Sequence, residues 1–442
     1  MLRKSALGLL LLFGVAVPFL LFSIGSGRAD NGDDQDTDRA GGTVRLLETI
    51  PVPVSPFNST AGAMYSFDIS FVDQATGGYF LADRSNKAVD VVNGNTDTFV
   101  TQIFPNNGHG PFAGFTACVP AAGANDCAGP NGVVAAFPWL FVTDAPSRVL
   151  SFDLRTTPPT TVSEVTTRAG EKTRADELAY DPRDGLILAI NNASTPPFGT
   201  LVQVNKATGA LTVVKNIDLD AAHGVDAQNG AEQPIWNPDT RKFYLSIPQI
   251  GPNVAHGGVI RISTSGAIEK TFPVEHCSPA GLSLGPRNQA LIGCNTVFDT
   301  AGNVWDPNGA VSAAPKDVII DLLSGDTTDV PGVGAGDEVW FNKGDRKYYA
   351  TGSGSPLRPL PAATAKGSTP LGVIDANKQK LLQLVPTYNV PAGPGHPAGT
   401  SHSVAANDRN NHVFVPLPAN NAFPGCLTGC IAVFGSTPGH DD

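Results

Sequence analysis

Apolar and polar positions alternate along this chain in short runs, and the same arrangement keeps returning. Ser401 to Leu417 (SHSVAANDRNNHVFVPL) holds an apolar run, a polar turn at Asn407 to Asn411, and a second alternating run from His412. The pattern recurs as DISFVDQATGGYFLAD from Asp68, DELAYDPRDGLILAI from Asp176, EQPIWNPDTRKFYLSI from Glu232, AGLSLGPRNQALIGC from Ala280 and DEVWFNKGDRKYYAT from Asp337. A period of two over a few residues, broken by Asn/Asp/Gly/Pro turns, predicts strand–turn–strand units. Units of this kind at blade-sized spacing predict an all-β fold, a β-propeller.

Seven blades are expected, at Tyr65 to Phe104, Pro130 to Arg168, Arg174 to Leu219, Ala231 to Val274, Ser278 to Pro331, Gly336 to Pro386 and Ser401 to Ser436. The last ends at CIAVFGS without a fourth strand. TVRLLETIPV near the N-terminus is a strand without a blade, and pairing it there closes the ring and removes both exposed edges. Trp236 and Trp340 occupy equivalent apolar positions in two blades and are expected to pack in the core.

The ends read differently. Residues 1–29 carry Arg3 and Lys4 ahead of an apolar run and a small-residue exit, the form of an export signal. An uncleaved anchor is the other reading of that run, and the only route by which the chain is expected to meet a membrane. Residues 30–42 are acidic and lack apolar positions, as a solvated linker does, and residues 437–442 form a tail. The Asp-rich linker does not make a calcium loop, because Arg39 and Arg45 stand where the turn Gly and the bidentate Glu belong.

Composition supports the strand reading. Charged residues make up 16% of the 442 positions while Gly and Pro number 48 and 37, so helix-favouring composition is missing. The net charge of −11 comes without a Lys/Arg cluster, which argues against nucleic acid as a partner. Six cysteines fall into three local groups: Cys118 with Cys127, Cys277 with Cys294, and Cys426 with Cys430. An even count behind an export signal implies disulfides and a secreted, periplasmic or envelope location. Cys426 and Cys430 have one residue too many between them for a C-x-x-C redox motif. A monomer is expected.

Candidate chemistry comes from aligning the repeats on their turn residues and stepping back along each first strand. The column reads Asp68, Asp176, Glu232, Ala280, Asp337 and His402, almost wholly ionisable in a weakly charged chain. Strand starts in a propeller face one mouth of the central channel. The column therefore predicts a ring of carboxylates with one imidazole. Asp68, Asp176, Glu232 and Asp337 are candidate ligands for Ca²⁺ or another divalent cation, and His402 is a candidate acid/base. The other reading stays open: polar residues at a wet mouth, with carboxylates bonding free backbone N–H groups. Glu177, Gln233 and Glu338, one step along, are expected to point away and bond between blades. Arg174 neutralises the ring if it lies at the same mouth. No G-x-S-x-G, H-E-x-x-H, P-loop or dinucleotide-binding motif is present.

The stretches YFLADRSNKAVDVVNGNTDTFV and FGTLVQVNKATGALTVV resemble the YVTN/YncE-like group of exported propellers, and more loosely the SMP-30/gluconolactonase and NHL-repeat groups. The YncE likeness implies binding of a ligand or macromolecule without chemistry. The gluconolactonase likeness implies a channel-mouth cation, held here by Asp176, Glu232 and Asp337. Two functions follow as expectations. One is an exported propeller binding a small molecule or an extracellular or envelope partner at its mouth and long loops (Pro105 to Pro130, Gly352 to Ser368, Val390 to Thr400). The other is a metal-dependent hydrolase of lactones, with His402 moving the proton.

Overall fold

The structure, a computed structural model, describes residues 42–116, 125–305, 315–333, 336–352 and 370–436. The expected signal segment, nearly all of the acidic linker and the tail lie outside the described residues. The chain begins with β1 (Val44–Pro51) and continues into blade 1, β2 (Ser70–Asp73), β3 (Gly78–Asp83), β4 (Ala88–Asn93) and β5 (Thr98–Ile103). Blade 2 is β6 (Val133–Ala136), β7 (Trp139–Asp144), β8 (Arg148–Asp153) and β9 (Thr160–Thr166). Blade 3 is β10 (Leu178–Asp181), β11 (Leu186–Asn191), β12 (Phe198–Val204) and β13 (Leu211–Asp218). Blade 4 is β14 (Pro234–Asn237), β15 (Lys242–Ile247), β16 (His256–Ile262) and β17 (Ile268–Glu275). Blade 5 is β18 (Cys277–Leu284), β19 (Gln289–Val297), β20 (Lys316–Asp321) and β21 (Thr327–Pro331). Blade 6 is β22 (Gly336–Asn342), β23 (Lys347–Gly352), β24 (Leu371–Asp375) and β25 (Lys380–Val385). Blade 7 is β26 (Ala405–Asn407), β27 (His412–Leu417) and β28 (Cys430–Ser436), completed by β1.

All seven sheets are four-stranded antiparallel meanders. Their first strands touch in cyclic order, β26 back against β2, so they line a common axis. The expected seven-bladed propeller is the observed one.

Burial follows radius. Second strands such as β7 (WLFVTD) and β11 (LILAIN) are buried at every position, because blades cover both faces. Outer strands such as β21 are largely exposed. The apolar cores lie between blades, one pairing Phe243 and Leu245 of blade 4 with Leu188 and Leu201 of blade 3. Trp236 and Trp340 pack in such layers, as expected. The recurring Asp or Asn has a local cause. Its side-chain oxygen accepts a backbone N–H two residues on: Asp73 from Ala75, Asp181 from Arg183, Asn237 from Asp239, Asn342 from Gly344 and Asn407 from Arg409. These Asx turns end the inner strands of blades 1, 3, 4, 6 and 7 at the face opposite the column.

Closure is by β1, antiparallel to β28 from Val44 opposite Ser436 to Pro51 opposite Cys430. The register slips at Leu47, which turns outward, while Ile50 is buried with Val52, Phe67 and Ile431. Cys277–Cys294 joins β18 to β19, and Cys426–Cys430 closes the loop entering β28. The third expected pair includes Cys118, which lies outside the described residues.

If β1 seals the ring by packing, Ile50→Ala lowers the unfolding free energy by about 2–4 kcal/mol, and Leu47→Ala changes it by less than about 0.5 kcal/mol. Denaturant midpoints of the two variants against the parent decide it; equal effects would remove the closing role.

Candidate functional site

The column assembles at one mouth, and a shared backbone bond explains how. Asp68 N–H donates to Ala82, Asp176 to Ile190, Glu232 to Ser246 and Asn131 to Thr143, each from the first strand to the second. Asn131 is therefore the column member of blade 2. It escaped the alignment because that blade turns in two residues, Phe137 and Pro138, without an Asp or Asn. Blade 5 contributes only Ala280. The inner strands approach closely here: a Cβ on Gly132 would fall 2.6 Å from the Asp176 carbonyl, and one on Gly281 2.5 Å from that of Asp337.

The mouth opens into a cavity of about 410 Å³, lined by Asp68, Asp176, Glu232, Asp337 and His402 together with Arg84, Arg174, Glu177 and Glu338. The first five are the expected set, and the structure brings all of them together. Arg84 was not anticipated. It follows the end of β3, is 3% exposed, and reaches toward blades 2 and 3. Its Nη2 donates to Asp68 Oδ2, its Nε to Asn131 Oδ1 at 2.9 Å, and it stands 3.7 Å from Asp176 Oδ1. Arg174 Nη2 donates to the other Asp176 oxygen at 2.9 Å and Nη1 to the Asn125 carbonyl at 2.8 Å. His402 Nε2 lies 3.5 Å from Asp68 Oδ1. The result is an alternating row, His402–Asp68–Arg84–Asp176–Arg174. The opposite side, Glu177, Glu232, Asp337 and Glu338, has no ion-pair partner among the described residues.

Of the three neighbours expected to bond between blades, two do. Gln233 Oε1 accepts the Leu282 N–H at 2.6 Å, and Glu338 Oε2 accepts Val404 N–H at 2.9 Å and the Ser403 hydroxyl. Glu177 departs from the expectation: it lines the cavity with Oε2 buried and unpartnered. Glu177 immediately precedes β10, which begins at Leu178.

These surroundings divide the carboxyls. Burial opposes ionisation of Asp68, but the Arg84 charge, the His402 hydrogen bond and Arg174 outweigh it and pull it down to about 2. Asp176 is raised to about 6, burial and the Asp68 charge exceeding the help of its arginines. Glu232 is raised to about 8 by burial and then by Asp176 and Asp337. Glu338 also reaches about 8 through burial, against its hydrogen bonds. Burial and neighbouring acids raise Glu177 well above the usual range. His402 is raised: burial disfavours its charge, but Asp68 and Asp337 more than compensate.

The positive charge between Asp68 and Asp176 is a guanidinium, and among the described residues no group of three or more His, Cys, Asp or Glu is arranged to hold a metal ion. His402 has both ring nitrogens engaged, Nε2 toward Asp68 and Nδ1 2.8 Å from Thr400 Oγ1 and 2.9 Å from the Thr400 carbonyl. Two of the three long loops reach the cavity, through Phe115 and Asn125 and through Pro397, Ala398 and Thr400. The second carries the bridge Val390–Gly399 and lays His396 on Tyr65, ring centroids 3.7 Å apart. The third, Gly352 to Ser368, lies almost wholly outside the described residues.

Solved structures share the architecture. The chain is a seven-bladed β-propeller. It is similar to a chain of Kuenenia stuttgartiensis hydrazine synthase, at 12% identity and TM-score 0.56, covering 85% of this chain and 97% of that one. It is similar to a chain of a mitotic checkpoint complex, at 11% identity and TM-score 0.53, covering 96% and 99%. The Pan2 WD40 domain of Neurospora crassa matches at 11% identity and TM-score 0.54, covering 89% and 95%. Such likeness shows the fold alone. No family model and no curated protein matches the propeller, so the YncE and gluconolactonase likenesses remain resemblances of repeat texture. No helix among the described residues is long and apolar enough to cross a membrane.

Two predictions follow from the charge row and from the raised acids. Arg84→Met leaves Asp68 and Asp176 without their shared cation and costs about 3–5 kcal/mol, part of which Asp68→Asn restores in the double variant. Denaturant midpoints test this; a loss under about 1 kcal/mol would show that Arg84 does not hold the row together. Glu232, held at about 8 against an ordinary 4.5, keeps in the fold a proton that the unfolded chain has already released. It thus subtracts stability progressively as pH rises from about 4.5 to about 8. Glu232→Gln should match the parent at the acid end and exceed it at pH 8, by on the order of 1 kcal/mol. Parallel stability–pH curves would contradict the assignment.

Proposed function

We propose that this chain is an exported propeller that binds a small polar ligand at the channel mouth. The observation that carries the reading is the cavity itself, within the usual size range of small-molecule sites, upward of about 300 Å³. Polar groups from blades 1, 3, 4, 6 and 7 converge on it, and several buried ones lack a partner: Arg174 Nε, Glu177 Oε2 and Glu338 Oε1. Unpaired buried polar atoms are costly, and a ligand that satisfies them recovers that cost on binding. The disulfides Cys277–Cys294 and Cys426–Cys430 accord with an oxidising compartment, where export would place the protein.

Binding rather than hydrolysis is favoured by His402. A proton shuttle needs a free nitrogen facing substrate, and both of its nitrogens are occupied by protein groups.

The test is a ligand-observed NMR screen of polar metabolites against the full chain and against Ala398→Trp. Ala398 is exposed on the rim, so the indole blocks the mouth without touching a core. Hits that bind the parent and lose at least about tenfold in affinity on the blocked variant support the reading. Hits that ignore the substitution, or turnover of a lactone panel that a chelator abolishes, would replace it.

A further inference from the structure

The mouth has two unlike halves, and the difference assigns a ligand chemistry. In one half the charges are matched in the row from His402 to Arg174. In the other, Glu177, Glu232, Asp337 and Glu338 face the same cavity without a cationic partner among the described residues. We propose that the ligand carries an ammonium group, seated among Glu177, Glu232 and Asp337 as the missing counter-charge. The inference rests on the binding reading above and names the class of ligand.

Clustered acids alone would carry little weight. Here a second observation points inward: Glu177 is 8% exposed, yet its Oε2 has no hydrogen-bond partner although it lines the cavity. Glu338 also lines the cavity, is 1% exposed, and has a buried Oε1 without a hydrogen-bond partner. A buried carboxyl in this position lacks either a donor or a cation, and an ammonium supplies both, with three N–H donors around one charge. Ammonium also suits the geometry better than a metal ion does. Metal ions require several oxygens at short, fixed distances, whereas an ammonium accepts a loose set of acceptors. No metal-holding group is formed among the described residues.

The charged groups around this half all bear on the proposal. Asp176 and Asp68 add negative potential from the matched row, while Arg84, Arg174 and His402 oppose a cation, His402 acting on Asp337 and Arg174 on Glu232. A single-headed ammonium is therefore directed away from Arg84, toward blades 3, 4 and 6. Phe115, Pro397 and Ala398 line the same cavity. Phe115 adds an apolar ring at the entrance, suited to the methylenes of an alkyl amine or to its charge.

Isothermal titration of the full chain with 1,5-diaminopentane, 1,5-pentanediol, glutarate and CaCl₂ tests it, on the parent, Glu177→Gln, Glu232→Gln and Ala398→Trp. The expected result is diamine binding at one site, at least about tenfold tighter than the diol, and weakened about tenfold or more in each variant. Thermal unfolding of the two Gln variants at or above the parent midpoint separates lost binding from lost fold. Diol or glutarate binding as tightly as diamine overturns the ammonium and leaves a mouth that binds something else. CaCl₂ binding more tightly than the diamine and displacing it overturns the ammonium in favour of a cation site. Diamine binding that survives all three substitutions places it elsewhere and overturns the assignment. If no probe binds at millimolar concentration while hits of the metabolite screen still lose affinity on Ala398→Trp, only the chemical class falls. If that screen is silent too, both readings fall.

Discussion

Everything at the mouth depends on ring closure. Asp68 and His402 sit 334 positions apart by their numbering, yet their side chains meet because β26 lies against β2. That contact exists only when the first and last blades are neighbours, and the pairing of β1 with β28 makes them so. A toroid held by one antiparallel ladder has no free sheet edge at its seam.

Within that frame the electrostatics are a consequence of crowding. Six carboxyls converge where inner strands start, and only some can remain charged out of water. The chain resolves this in two ways. Near blades 1 and 3 it inserts Arg84 and Arg174, and Asp68 ionises readily. Near blades 4 and 6 the acids make no ion pair among the described residues, and Glu232 and Glu338 retain protons to about 8. The arginines have different origins. Arg174 precedes an inner strand and belongs to the column's own neighbourhood, whereas Arg84 reaches in from the loop after a second strand.

That difference explains what could be read from the sequence. Five of the blades were legible because each carries its own local cause, an Asx turn such as Asp181 to Arg183 between two apolar runs. The column was legible because strand starts share a register, seen in the bonds from Asp68, Asp176 and Glu232 to the next strand. Asn131 shares that register but was hidden, since its blade turns without the Asp or Asn on which the others align. Arg84 carried no register at all. A long side chain from the far end of a strand can reach the axis or solvent, and only the position of Asn131 and Asp68 decides which. The membership of the ring was therefore more legible than its charge balance: nothing in the repeat register showed that the Arg84 guanidinium stands between Asp68 and Asp176.

The comparison with other propellers makes the same point from outside. Chains at 11–12% identity keep this backbone over nearly their whole length, so the blades tolerate almost any side chains that alternate and turn correctly. Function in such a scaffold has to come from the few positions whose direction the fold fixes and whose identity it leaves free. Strand starts at the channel mouth are positions of this kind: the backbone bond holds them in place, while their side chains face neither blade core. Here they have been filled on one side with matched charges and on the other with acids that make no ion pair among the described residues. Such an unmatched half is not required by closure or by packing. Under the proposed reading, a ligand that enters the channel completes it.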